Sequence, residues 1–219
     1  MPFRYRAHEV SRLEAFSDVV FGFALTLIVV SLEVPKTYEE LISAMRDFPA
    51  FALCFAILIW IWHAHYTYFR RYALHDEFTI WMNTFLLFVV LFYVYPLKFV
   101  FASFTGHGHS YGAHEARVLF TIYGLGFAGI FFIYAMLYSH AFRKRAALEL
   151  NAVEQHDTQT HVLAFAGNVA VGLTSILLAL TLPDRLLGLA GYIYFTPGLV
   201  SWYLGASRGA GRRAVEDSM

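Results

Sequence analysis

The stretch from Arg12 to Val30, which reads RLEAFSDVVFGFALTLIVV, decides the fold class. Beyond Asp18 every residue in it is apolar except Thr26. The hydrocarbon core of a bilayer is about 30 Å thick and needs about 20 mostly apolar helical residues for one crossing. Glu14 and Asp18 interrupt the start of the stretch and no A-x-A site follows it, which is not the pattern of a cleaved signal peptide. We therefore predict a permanent transmembrane helix.

The rest of the chain repeats this composition. Charged residues make up 15% of the 219 residues, too few to cover a soluble globule. The net charge is zero, which gives no field that would attract nucleic acid. We predict an all-α membrane protein in which one transmembrane domain, 1–206, precedes a polar cytoplasmic tail, 207–219. The six predicted spans are 13–33, 50–69, 79–103, 116–140, 161–182 and 186–206.

Basic residues divide unequally between the two sides of this predicted bundle, and such a bias places the richer side in the cytoplasm. Both termini are therefore predicted to be cytoplasmic, as an even number of spans requires. The richer side holds 11 of the 16 basic residues: Arg4, Arg6, Arg12, Arg70, Arg71, Arg143, Lys144, Arg145, Arg208, Arg212 and Arg213.

The segments between the spans carry few further signals. Ser11 with Glu14, and Thr37 with Glu40, have the spacing of capping boxes. The second pair predicts a short interfacial helix that ends near Pro49. Segment 141–160 is predicted to be a polar loop. His107, His109 and His114 could bind zinc, but a solvated outer loop is the favoured interpretation, so no metal or cofactor is predicted.

Helical periodicity gives the first helix two different faces. At 100° per residue an apolar stripe carries one hydroxyl, Thr26, and its members are Arg12, Phe16, Val19, Phe23, Thr26 and Val30, with Leu27 at the edge. Ser17 and Asp18 point elsewhere and need hydrogen-bond donors on neighbouring helices, for which His65, Trp62 and Asn83 are candidates. Geometry alone also allows a stripe that simply packs on lipid or protein.

The motif Arg12-x-x-x-Phe16-Ser17-Asp18 at the start of a first membrane helix resembles the signature of the transmembrane protein 175 family of potassium channels. Trp62-x-x-His65-x-x-x-Phe69, Asn83 and Pro96 support the resemblance. It implies a channel without the usual carbonyl filter, in which the first helices of a homotetramer surround the pore. By the same resemblance Phe23, Leu27 and Val30 form the constriction, Thr26 contributes to selectivity, and Arg12, Phe16, Ser17, Asp18, His65 and Asn83 brace the first helix.

The expected function is thus a potassium-permeable, modestly selective, leak-type channel, multi-pass in a prokaryotic plasma membrane. Its partners would be copies of itself, the bilayer and potassium ions. Phe23 departs from the smaller aliphatic residue that is usual in the family. The alternative is a secondary transporter or proton-coupled carrier, with Asp18 and His65 as a relay and Pro197-Gly198 as a helix break.

No convergent set of catalytic side chains indicates an enzyme. Gly124-Leu-Gly126-Phe-Ala-Gly129 matches a dinucleotide fingerprint but lies inside a hydrophobic segment. Close packing between helices is therefore the favoured interpretation of these glycines.

Overall fold

The computed structural model describes residues 3–7, 9–30, 35–104 and 112–196. The helices are α1 (Arg12–Val30), α2 (Tyr38–Tyr72), α3 (Glu77–Phe104), α4 (Ala113–Arg143), α5 (Ala152–Thr181) and the short α6 (Leu189–Tyr192), which lies between 3-10 turns at Asp184–Leu186 and Ile193–Phe195. Five of these helices are long and apolar enough to cross a membrane. The described part of the predicted sixth span, 186–196, holds only the four-residue α6 and parts of these 3-10 turns. Residues 197–206, with the Pro197-Gly198 bend, and the tail 207–219 lie outside the described residues, so a sixth crossing stays a prediction.

The predicted interfacial helix is wrong. Thr37 does cap a helix, because Glu40 N donates to Thr37 Oγ1 over 3.2 Å. That helix, however, is α2, which continues through Pro49 to Tyr72. A proline removes one backbone hydrogen bond, and membrane helices tolerate the loss where neighbouring groups compensate for it.

The predicted polar loop 141–160 is also too long. α5 begins at Ala152, nine residues before the start of the predicted span at 161. Asn151 and Glu154 form a reciprocal capping box, with Glu154 N donating to Asn151 Oδ1 over 2.9 Å and Asn151 N donating to Glu154 Oε2 over 3.2 Å. This Asn-x-x-Glu spacing was visible in the sequence and marks where the helix begins.

The long helices alternate in direction, so the start of α1, the end of α2, the start of α3, the end of α4 and the start of α5 share one end of the bundle. We call this the basic end, because most of the basic residues of the predicted cytoplasmic side lie there. The N-terminal segment is fastened to it. Arg6 N donates to Arg70 O over 3.1 Å, and Arg6 Nη2 lies 2.7 Å from Glu154 Oε2.

The glycines of the dinucleotide-like motif bring helices close together. A Cβ on Gly124 would lie 3.1 Å from the carbonyl oxygen of Gly172 on α5, and a Cβ on Gly172 would lie 3.0 Å from the Gly124 oxygen. A Cβ on Gly126 would meet the Tyr93 ring on α3. These glycines hold α4 against both neighbours, as the packing interpretation predicts.

Candidate functional site

One face of α1 is buried within the subunit, and the opposite face is exposed. Its buried residues are Glu14, Ser17, Phe21, Ala24 and Ile28, which recur at intervals of three and four and pack against α2 and α3. The opposite face is uncovered: Phe23 is 57% exposed and Val30 is 78% exposed. Thr26, Phe16 and Val19 are exposed on the same side, whereas Leu27 is partly buried and packs against the core.

Ser17 is held by a buried chain of hydrogen bonds that crosses three helices. Its hydroxyl donates to Leu13 O over 2.8 Å, so its oxygen accepts from Asn83 Nδ2 at 2.9 Å. The amide oxygen of Asn83 therefore faces His65 Nε2, 2.8 Å away, and the imidazole is the donor in that bond. Ser17, His65 and Asn83 are each at most 3% exposed. These hydrogen bonds connect α1 to α3 and, through Asn83, to α2.

Asp18 has a separate partner. The indole Nε1 of Trp62 donates to Asp18 Oδ1 over 2.8 Å. A carboxylate inside a membrane segment is costly unless it is paired, and an indole supplies one donor without a second charge. The candidate donors on α2 and α3 therefore do meet the Ser17–Asp18 face. Arg12 and Phe16 lie on the exposed face outside this network, and their bracing role stays a prediction.

The start of α1 is fixed by its capping box. Glu14 N donates to Ser11 Oγ over 3.2 Å, and Glu14 Oε1 accepts from the Ser11 backbone nitrogen over 3.3 Å. The imidazole of His75, on the linker between α2 and α3, lies 3.9 Å from Glu14 Oε1. Sequence reasoning found the cap but missed His75, because nothing local relates the α2–α3 linker to the first helix.

The exposed face of α1 offers a single hydroxyl oxygen among apolar side chains. Thr26 Oγ1 donates its hydrogen to Phe23 O over 2.7 Å. The lone pairs of the oxygen are thus left for a group outside the helix, such as a partly dehydrated cation. Among the described residues no group of three or more His, Cys, Asp or Glu side chains could hold a metal ion.

Comparisons with known proteins point to one family. A family model described as the endosomal/lysosomal potassium channel TMEM175 matches residues 12–93, which contain the network around Ser17 and Asp18. A potassium channel of Marivirga tractuosa is 38% identical over 211 residues, which cover 88% of this chain and 85% of the relative. A potassium channel of Chamaesiphon minutus is 30% identical over 141 residues, 61% of this chain and 66% of that one.

Solved structures agree in fold. The crystal structure of a variant of the potassium channel MtTMEM175, in complex with a nanobody-MBP fusion protein, matches with a TM-score of 0.81 and 34% identity over 95% of this chain and 97% of that one. A lysosomal potassium-selective channel TMEM175 homolog from Chamaesiphon minutus matches with a TM-score of 0.61 and 25% identity, covering 87% of this chain and 99% of that one.

Proposed function

Since the chain belongs to the TMEM175 family of potassium channels, we propose that it is a potassium-permeable, modestly selective leak channel whose pore is lined by the first helices of a homotetramer. The family is one of membrane channels and not a class of enzymes. Both termini are proposed to lie in the cytoplasm of a bacterial cell, six helices to cross the membrane, and the plasma membrane to be its location. A carrier mechanism is not favoured by any of these relatives.

The observation that carries the proposal is the exposed face of α1. In a membrane an uncovered apolar face meets lipid or another subunit. The exposed side chains of Phe23, Thr26 and Val30 support the second, because a hydroxyl lies among them and the family is one of channels. The pattern fits a helix whose second face meets copies of itself. In such an assembly the α1 helices of several subunits together form the wall of the pore, so one subunit does not enclose it alone.

Within that pore the apolar side chains would form the constriction. An ion that passes a ring of Phe23, Leu27 or Val30 loses hydration water and gains few ligands in return, so such rings close a pore by expelling water. Leu27 is partly buried, so it contributes one edge of its side chain. The aromatic rings of Phe23 can in addition face a passing cation with their π electrons.

Thr26 is the proposed selectivity residue, and Thr26→Ala tests it. The ratio of potassium to sodium flux into liposomes is expected to fall about fivefold, the factor that the loss of about 1 kcal/mol of ion coordination supplies. The physical reason is that alanine keeps the helix but removes the only side-chain oxygen of α1 between Asp18 and Val30.

Thr174→Ala is the matched control. Thr174 is exposed on α5, and its hydroxyl likewise donates to a carbonyl of the preceding turn, Ala170 O, over 2.7 Å. Its removal should leave the flux ratio at the wild-type value. A Thr26→Ala protein that conducts potassium and sodium in the wild-type ratio would contradict the assignment of selectivity to Thr26.

A further inference from the structure

A groove between α2 and α5, floored by Tyr138 of α4, is used neither by the network around Ser17 nor by the exposed face of α1. Its volume is about 510 Å³. We name it the α2–α5 groove. We propose that it binds one anionic phospholipid, whose phosphate lies against Arg71 at the basic end and whose acyl chain follows the groove towards Trp60.

Arg71 provides a positive charge with which an anion can pair. Its Nη1 lies 3.3 Å from His161 Nε2, and its guanidinium carbon lies 4.7 Å from the centroid of the Phe3 ring. Its buried Nε has no hydrogen-bond partner. Arg6 of the same bundle end is paired with Glu154 at 2.7 Å, but no carboxylate of the described residues forms an ion pair with Arg71. A partly buried guanidinium whose Nε has no partner among the described residues can be satisfied by a phosphate.

The rim of the groove has the composition of a membrane interface. Tyr5 and Tyr66 line it, and the guanidinium carbon of Arg70 lies 5.3 Å and 5.9 Å from their respective ring centroids. Tyrosine and arginine at the end of a membrane helix are typical of the headgroup region. The hydroxyl of Thr160 and the imidazole of His63 add further polar groups to the lining. Among the described residues that line the groove, none is acidic.

The deeper part of the groove suits the acyl chain of a lipid. Trp60, Ala64, Ala164 and Phe165 supply apolar walls, and the two alanines leave room between the helices. From Arg71 to Trp60 is eleven residues of α2, or about 16 Å at the rise of an α-helix. That is about half of a 30 Å hydrocarbon core, the depth of one leaflet. Asn168 also lines this part, but it is 3% exposed and adds little polar surface.

These features together select a lipid over a soluble anion. The groove lies between two helices that are long and apolar enough to cross a membrane, so a lipid would reach it from the bilayer. A phosphate at Arg71 alone would leave the apolar walls uncovered. The proposal does not depend on potassium conduction, because it concerns only the surface of the membrane-embedded chain.

The test uses the full-length assembly in detergent and measures its thermal unfolding during titration with short-chain phosphatidylglycerol. Phosphatidylglycerol should raise the unfolding temperature of the wild type, while phosphatidylcholine of equal chain length and inorganic phosphate should not. Arg71→Gln should weaken the apparent affinity about tenfold through loss of a charged hydrogen bond. Ala164→Trp, which fills the groove and leaves Arg71 in place, should abolish the shift.

Arg145→Gln is the charge-matched control, since Arg145 is exposed at the same end and lies outside the groove lining. It should retain the wild-type response. An equal response to phosphatidylcholine, an equal loss in Arg145→Gln, or a full response in Ala164→Trp would each overturn the proposal. If Arg71→Gln does not assemble, the Ala164→Trp comparison decides the matter alone. Conduction by the wild type is a separate measurement and is not used in this test.

Discussion

The side-chain amide of Asn83 joins the first helix to both of its neighbours. It donates to Ser17 Oγ and accepts from His65 Nε2, and all three groups are buried. An amide can serve both partners because it carries a donor and an acceptor on one rigid plane. Removing it leaves a hydroxyl oxygen and an imidazole N–H without partners in a medium that offers no water.

Replacing Asn83 by leucine, which has a similar volume, should lower the free energy of unfolding by about 1–2 kcal/mol, because hydrogen bonds between membrane helices contribute less than their burial suggests. Thermal unfolding of the detergent-solubilised protein measures the change. Thr84→Ala is the control, since Thr84 is the next residue, is exposed and among the described residues bonds to Ile80 O of its own helix. Equal stabilities for the two variants would contradict a structural role for the amide.

At the scale of elements, the start of α3 is tied to the end of α4 through Asp76. Its Oδ1 accepts from Thr79 Oγ1 over 2.6 Å, and its Oδ2 lies 2.6 Å from His140 Nε2 and 2.5 Å from Lys144 Nζ. Partial burial acts to raise the pKa of the Asp76 carboxyl. The hydrogen bonds from Lys144, Thr79 and His140 outweigh that effect and hold the pKa well below its usual range.

This pKa shift predicts a dependence of stability on pH. The folded pKa of Asp76 is lower than the unfolded one, so the unfolded chain takes up its proton first as the pH falls. The stabilisation is complete above the ordinary value of 3.8 and is lost progressively below it. Asp76→Asn should therefore destabilise the protein near neutral pH by about 1 kcal/mol and flatten the acid limb of its stability profile.

Unfolding temperatures recorded from about pH 6 down to about pH 2, which includes the loss expected below 3.8, would measure the effect. Glu77→Gln serves as the control, because Glu77 is the adjacent acid, is exposed, and lies in the same first turn of α3. Its profile should follow the wild type. A profile for Asp76→Asn that parallels the wild type down to the lowest pH would show that the three hydrogen bonds add no stability.

At the scale of the whole molecule, one subunit leaves apolar helix faces uncovered on more than one side. α1 exposes Phe23 and Val30, and α3 exposes a stripe that consists of Trp81, Phe85, Phe88, Phe92 and Tyr95. In a membrane such faces meet lipid or another subunit. The proposed tetramer covers the α1 face at a common axis, whereas α5 would lie towards the periphery with its own exposed residues in lipid.

Cross-linking distinguishes these positions. In a Cys54→Ala background, which has no other cysteine, Phe23→Cys should give dimers between subunits when a short thiol cross-linker is added to membranes. A direct disulfide would in addition require Cα atoms about 4.4–6.8 Å apart. Leu173→Cys on α5 is 54% exposed, close to the 57% of Phe23, and should stay monomeric under the same conditions. Cross-linking at position 173 but not at 23 would contradict a shared axis at α1.

The sequence by itself determined the class of the molecule, the approximate positions of five of the six predicted spans and the two faces of the first helix. Those properties depend on hydropathy and on helical period, which are local and can be read along the chain. The resemblance of the motif from Arg12 to Asp18 also predicted the family, which the relatives confirm.

The tertiary structure decided what depends on neighbours distant in sequence. Pro49 does not end a helix, because whether a proline breaks one depends on how the surroundings compensate for a single lost hydrogen bond. The pairing of Trp62 with Asp18, the three partners of Asp76 and the groove beside Arg71 join residues from different helices. Only the packing of those helices brings such groups together, and no periodicity within one helix specifies which neighbour its polar face will meet.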